Sequence, residues 1–189
     1  MTKNHYMKIQ VEDKEFQLML SYEQIEKRIR LIGIQLNVDY EHKVPVFLGV
    51  LNGSFMFLAD LMKEVHISSE VTFVKVSSYE ADKSTGVIKR EIDLAMDLKD
   101  RDVIIVEDIV DTGFTLDYIL KMVKEQHPAS VKVCTLLLKP NSLQKSIDEI
   151  GYVAFEIPND FVVGYGLDYN GLGRNLKDIY RAINLPSET

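Results

Sequence analysis

The sequence predicts an α/β fold: a mainly parallel, twisted sheet flanked by helices. Two observations predict it. Short apolar runs at 46–51, 71–77, 103–107, 131–138 and 152–157 lack the alternation of a half-solvated strand, so they read as strands buried on both faces. Segments with helical spacing lie between them. Strands that alternate with helices form parallel βαβ units with right-handed crossovers. Ligands of such sheets bind beyond the carboxyl ends of the strands. This chain places acids, glycines and threonines there.

The elements follow in chain order. A first helix is expected over 21–36, with Ser21 as its cap and Ile25, Ile29, Ile32 and Leu36 on one face. A second, over 55–65, follows the first strand. A third, over 116–126, places Leu116, Ile119, Leu120 and Val123 at helical spacing, and Pro128 stops it. Two regions break the alternation. The stretch 78–93 is long and polar and contains Gly86, which reads as a lid or a loop without its own structure. From Phe161 onward, aromatics mix with Gly164, Gly166, Gly171 and Gly173, which reads as a cap over the sheet rather than another βα unit.

Composition narrows the function. The 189 residues suffice for one domain with a real core, and one domain over 1–189 is expected. The net charge of -7 argues against a dedicated nucleic-acid binder, which needs a basic surface, but not against small anionic ligands. The single cysteine, Cys134, lies in an apolar run and excludes an intrachain disulfide. The polar stretch 1–10 shows no signal or transit pattern, and no apolar run approaches the roughly 20 residues of a membrane span. A cytoplasmic protein without nucleic-acid or membrane partners is expected. His5, His42, His66 and His127 form no ligand-like spacing, so no zinc site is expected.

The most informative stretch runs from Val103 to Thr115. An apolar strand ends in Glu107 and Asp108, followed by Ile109 and Val110. A turn of Asp111, Thr112 and Gly113 then opens a helix with Phe114 and Thr115. A helix start offers unpaired N–H groups and a partial positive charge. Gly113 clears the approach, and Thr112 and Thr115 add hydroxyl donors, so the turn can cradle a phosphate. Paired acids where a strand ends suit the hydroxyls of a ribose, or a divalent cation. On the residues themselves, a capped helix start with solvated acids is the other reading. No G-x-x-x-x-G-K-[ST] motif is present, and the two G-x-G pairs at 164–166 and 171–173 lack the third glycine of a dinucleotide fingerprint.

This order closely resembles the phosphoribosyl pyrophosphate (PRPP) signature of type I phosphoribosyltransferases. The resemblance spans about 20–174 and points to the hypoxanthine–guanine branch. It implies that family's fold, with a core over about 37–150 and a small hood built from the amino-terminal segment and about 152–189. It also implies a purine salvage enzyme that moves the 5-phosphoribosyl group of PRPP to hypoxanthine and guanine. The resemblance further implies IMP, GMP and pyrophosphate as products, Mg2+ as cofactor, and a homodimer or homotetramer as the assembly. Residues 107–115 would then bind PRPP and nucleotide, including Ile109, Val110 and Phe114, the last through its backbone.

Four further segments carry the likeness. The turn at Asn52 and Gly53 matches one that holds pyrophosphate and can contain a non-proline cis peptide, although many relatives have lysine where Asn52 stands. Ser78 and Tyr79 match a lid that excludes water; on composition alone the segment reads first as a surface loop. Lys139 reads on its own as a solvated lysine after a strand. The resemblance makes it the donor to the exocyclic oxygen of a 6-oxopurine, which disfavours adenine. Phe161 and Val162 read by pattern as core strand residues; the resemblance places the Phe161 ring on the purine and the Val162 backbone at its edge.

The same likeness gives Asp168 to the purine side and to magnesium with Glu107 and Asp108, and gives Arg174 to pyrophosphate. Gly171, Leu172 and Gly173 depart from the bulkier residues usual before this arginine. Asp111 would stand near purine N7 as general base or acid. Two alternatives share the 107–115 motif: an enzyme for another base, and a non-catalytic PRPP sensor.

Overall fold

The computed structural model describes residues 8–78, 88–92 and 94–183. Within them the larger sheet contains β3 (Val46–Leu51), β4 (Glu70–Ser78), β5 (Ile88–Ile92), β6 (Asp102–Val110), β7 (Ser130–Leu138) and β8 (Ile150–Glu156). Its order is β5-β4-β3-β6-β7-β8, parallel except where β5 meets β4. The alternation of strands and helices therefore produced the expected mainly parallel sheet, and the five expected strands all form.

Each helix forms for a local reason and buries one face. Helix α1 (Tyr22–Asp39) starts at Ser21 with a reciprocal capping box: Gln24 N–H donates to Ser21 Oγ, and Ser21 N–H donates to Gln24 Oε1. Its buried residues are Ile25, Ile29, Ile32, Gly33 and Leu36. Helix α2 (Phe55–Glu64) buries Phe57, Leu58 and Leu61. With α1 it covers one face of the sheet, against Phe47, Ile104, Val106 and Leu136. Helix α3 (Phe114–Lys124) covers the other, against Val103, Ile105 and Val133. Successive residues of β6 thus serve opposite layers, as strand geometry requires.

Two expectations are corrected. The stretch 78–93 is not wholly without secondary structure, because β5 pairs antiparallel with β4 through Ser78↔Ile88 and Ser77↔Lys89. Its polar sequence suits an edge strand, which has a partner on one side only. The acids Glu107 and Asp108 do not end β6. That strand runs on to Val110, because β7 extends beside it and supplies partners at Ile109↔Leu137 and Val110↔Leu138.

A second sheet was not legible as strands. It joins β1 (Lys8–Val11) and β2 (Lys14–Leu20) to β9 (Val162–Val163) and β10 (Ile179–Ala182), in the order β1-β2-β10-β9. A small core of Val11, Phe16, Val163 and Tyr180 holds it together. It brings the two ends of the described chain together, beside the carboxyl end of the larger sheet.

Candidate active site

The site forms where β6 turns into α3. Gly113 adopts φ +87°, a left-handed conformation that a glycine takes without strain. A side chain there would meet Ile147 Cδ1 at 3.1 Å. The turn is braced from behind by Gln144 N–H, which donates to Thr112 O at 3.0 Å. Thr112, Gly113 and Thr115 line a cavity of about 330 Å3 together with Glu107, Asp108, Ile109, Val110 and Asp111. Phe114 does not line it. Its ring is 47% exposed, with Lys145 Nζ 5.6 Å from the centroid.

The opposite wall comes from two other turns. One follows β3 and contains a cis peptide between Leu51 and Asn52. Here Gly53 is required by contact: an added Cβ would stand 1.5 Å from Asp108 Oδ2. The other is the 164–174 segment. Gly166, at φ +100°, passes so close to Gly53 that a Cβ would lie 2.0 Å from Gly53 O. Arg174 lines the cavity and is locked by two contacts, to Asp168 Oδ1 at 2.6 Å and to Gly166 O at 2.7 Å. Asp168 Oδ2 also accepts from Gly171 N–H at 2.7 Å. The two glycines flanking Leu172 therefore do not displace Arg174 from the site.

Electrostatics follow burial. Glu107 is buried, and desolvation, with the neighbouring charge of Asp108, pushes its carboxyl well above the usual range. Burial also raises Asp108, although a hydrogen bond from Glu107, the Ile109 N–H and the Arg174 guanidinium favour its charged form. The cavity thus has donors on its α3 side and acids on its floor.

A second cavity, of about 240 Å3, adjoins the first and shares Asp108, Ile109, Asp111 and Asp168 with it. Its other walls are Lys139, Phe161, Val162 and Leu167. Lys139 is not solvated: it is 7% exposed, and its Nζ lies 2.6 Å from Asp111 Oδ2. Phe161 is not a core residue either, since its ring is 37% exposed, whereas Val162 is buried in β9. The pattern reading of Lys139 and Phe161 fails because Lys139 follows β7 at the carboxyl end of the larger sheet, Phe161 precedes β9 of the second sheet, and both line the cavity where the sheets meet.

Most of the expected site residues therefore converge. Ser78 ends β4, and Tyr79 lies outside the described residues. Val50, Leu51, Val76, Leu116 and Leu167 line the cavities without having been foreseen. Strand order is the signal that finds Val50, Leu51 and Val76: β3 lies directly beside β6, β4 lies next to β3, and both run parallel to β6. Among the described residues no three His, Cys, Asp or Glu side chains converge in a metal-binding group.

The β6–α3 turn thus stands over an acid floor and opens onto a second chamber. The family model described as phosphoribosyl transferase domain matches residues 20–170. This chain belongs to that family. The phosphoribosyl transferase span begins at the end of β2 and closes just before Arg174. The chain is 45% identical over 160 residues to the hypoxanthine-guanine phosphoribosyltransferase of Streptococcus pneumoniae, covering 84% of this chain and 88% of that one. It is 41% identical over 169 residues to the enzyme of the same name from Mycobacterium avium, covering 86% and 83%. A crystal structure of a hypoxanthine phosphoribosyltransferase from Staphylococcus aureus matches with a TM-score of 0.83 and 40% identity, covering 88% of this chain and 90% of that one. The architecture is the type I phosphoribosyltransferase fold.

Proposed function

We propose that this chain transfers the 5-phosphoribosyl group of PRPP to hypoxanthine and guanine, releasing pyrophosphate and forming IMP and GMP. One observation carries the reading: the cavity at the β6–α3 turn and the cavity lined by Lys139, Phe161, Val162 and Leu167 share the wall Asp108–Ile109–Asp111–Asp168. A bond made between the occupants of the two chambers would form at that wall. The names of the relatives support the same assignment.

The roles follow from chemistry at each position. The N–H groups and hydroxyls of Thr112, Gly113 and Thr115 bind the 5-phosphate. Glu107 and Asp108 accept from the ribose hydroxyls. Arg174 and the backbone at Asn52 and Gly53 bind pyrophosphate, the planar guanidinium offering paired donors. In the second chamber Phe161 stacks on the purine, and the Val162 backbone meets its edge. Lys139 donates to O6. Asp111, already held by Lys139, takes or returns the proton at N7. Alignment of N9 with C1′ and stabilisation of charge at the departing pyrophosphate supply the rate.

The acid set fits magnesium. This ion takes one or two carboxylates and completes its shell with water and substrate phosphates, so it needs no all-protein cage. Asp168 would hold it, with Glu107 and Asp108 on the sugar side, and when bound it would neutralise charge building on pyrophosphate. Asp168 keeps lone pairs free beyond its bonds to Arg174 and Gly171.

The proposal extends to a cytoplasmic setting, which suits the free buried thiol of Cys134. It extends also to a homodimer or homotetramer. Exposed Phe55, Val71, Phe73 and Ile92, on α2, β4 and β5, supply apolar surface for a second copy. Ultraviolet absorbance with PRPP, magnesium and each base tests the activity. Turnover of hypoxanthine and guanine, with adenine poor, is expected. PRPP binding without turnover of any base would identify a sensor instead.

A further inference from the structure

Phe161 is held by more than its own segment. Its ring stands edge-on to Tyr169, with centroids 5.7 Å apart and planes at 81°, and 6.3 Å from the buried ring of Phe16. Tyr169 is itself fixed from outside the site. Its hydroxyl donates to Asp13 Oδ1 at 2.9 Å, and Lys14 Nζ lies 4.3 Å from its ring centroid and 5.5 Å from that of Phe161. Asn170 Nδ2 donates to Glu12 Oε2 at 2.7 Å. Glu12 and Asp13 form the turn between β1 and β2, and Lys14 opens β2. This turn lies before the span that the family model matches, and neither Lys14 nor Tyr169 lines either cavity.

We propose that the β1–β2 hairpin, acting through Lys14 and Tyr169, is a positioning element that fixes the Phe161 ring for the purine. This rests on Phe161 being the stacking surface. A ring 37% exposed at a cavity mouth has space to leave its stacking rotamer. Edge-to-face contact with Tyr169 restricts it, and the ammonium of Lys14 draws both ring faces toward the hairpin. The PRPP side has independent anchors in the Arg174–Asp168 and Arg174–Gly166 contacts. The hairpin therefore acts on the affinity for the base rather than for PRPP.

Steady-state kinetics of the full chain test this. Lys14→Met keeps the length of the side chain and removes its charge. It is expected to raise KM for hypoxanthine about two- to fivefold while KM for PRPP stays within about twofold. Lys14→Arg should restore the wild-type value, because a guanidinium also seats over aromatic rings. An unchanged hypoxanthine KM in Lys14→Met, or equal rises for hypoxanthine and PRPP, overturns the proposal. Phe161→Ala, measured alongside, separates the two levels. If it leaves hypoxanthine KM unchanged, the stacking role fails; if it raises KM and Lys14→Met does not, only the positioning role fails.

Discussion

Asp111 and Lys139 meet at 2.6 Å on the wall common to both chambers, and the chemistry proposed for the purine depends on what each contributes there. Asp111→Asn keeps the shape and removes the proton acceptor, so kcat should fall about 10²–10⁴ with PRPP affinity nearly kept. Wild-type turnover of the purified variant would remove Asp111 from the proton role. Lys139→Ala deletes a donor to the base and also strips Asp111 of its partner. KM for hypoxanthine and guanine should rise about tenfold or more, and KM for PRPP less. Equal rises would place Lys139 outside base recognition. These two residues show where the sequence spoke and where it did not. The stretch from Glu107 to Thr115 carries its chemistry in its letters, because an apolar strand, paired acids and an Asp-Thr-Gly-x-Thr turn are specific only in that full order. A lysine after a strand is ordinary, and only the depth of Lys139 and its carboxylate partner distinguish it.

At the scale of elements, three separate turns must touch for the cavity to exist. Gly53 is the tightest junction, with Asp108 on one side and Gly166 on the other. Gly53→Ala would drive a methyl into the Asp108 carboxylate, and kcat/KM for PRPP should drop about 10², the cost of misplacing reacting groups by an ångström. Near-normal kinetics would mean that the two turns can separate without harm. Away from the site, Ser21→Ala removes half of the capping box of α1 and should cost about 1 kcal/mol in denaturant unfolding, with kinetics unaffected. Helix α1 was readable because its cap and its apolar stripe lie within one segment. The extension of β6 beyond Glu107 was not, because it is imposed by the partner strand β7 and leaves no mark in the local letters.

For the molecule as a whole, the larger sheet was legible and the second sheet was not. Parallel strands buried on both faces announce themselves as apolar runs. By contrast β9 has two residues, and its sheet exists only because β2 and β10, some 160 residues apart, pair at Tyr180↔Leu18 and Arg181↔Gln17. No helix among the described residues is long and apolar enough to cross a membrane. Acid stability also has a whole-molecule origin, in Asp102 at the foot of β6. Burial pushes its carboxyl up, but hydrogen bonds from Ser130 and Lys43 and the charge of Lys43 outweigh it, leaving the group below its ordinary value of 3.8. A depressed carboxylate stabilises the fold above its unfolded value, and that stabilisation is lost as pH falls through the folded value. The melting temperature of Asp102→Asn should therefore lie below wild type at neutral pH, and the gap should close below about pH 4. A gap that persists undiminished into stronger acid would show that the ion pair is not its source. The partition between the two chambers has a last consequence. It is a shared wall rather than a barrier, so a single compound with a planar heterocycle at one end and a phosphonate at the other can span it on a short tether. Such a compound loses its freedom to tumble once instead of twice, and should bind more tightly than either fragment added separately.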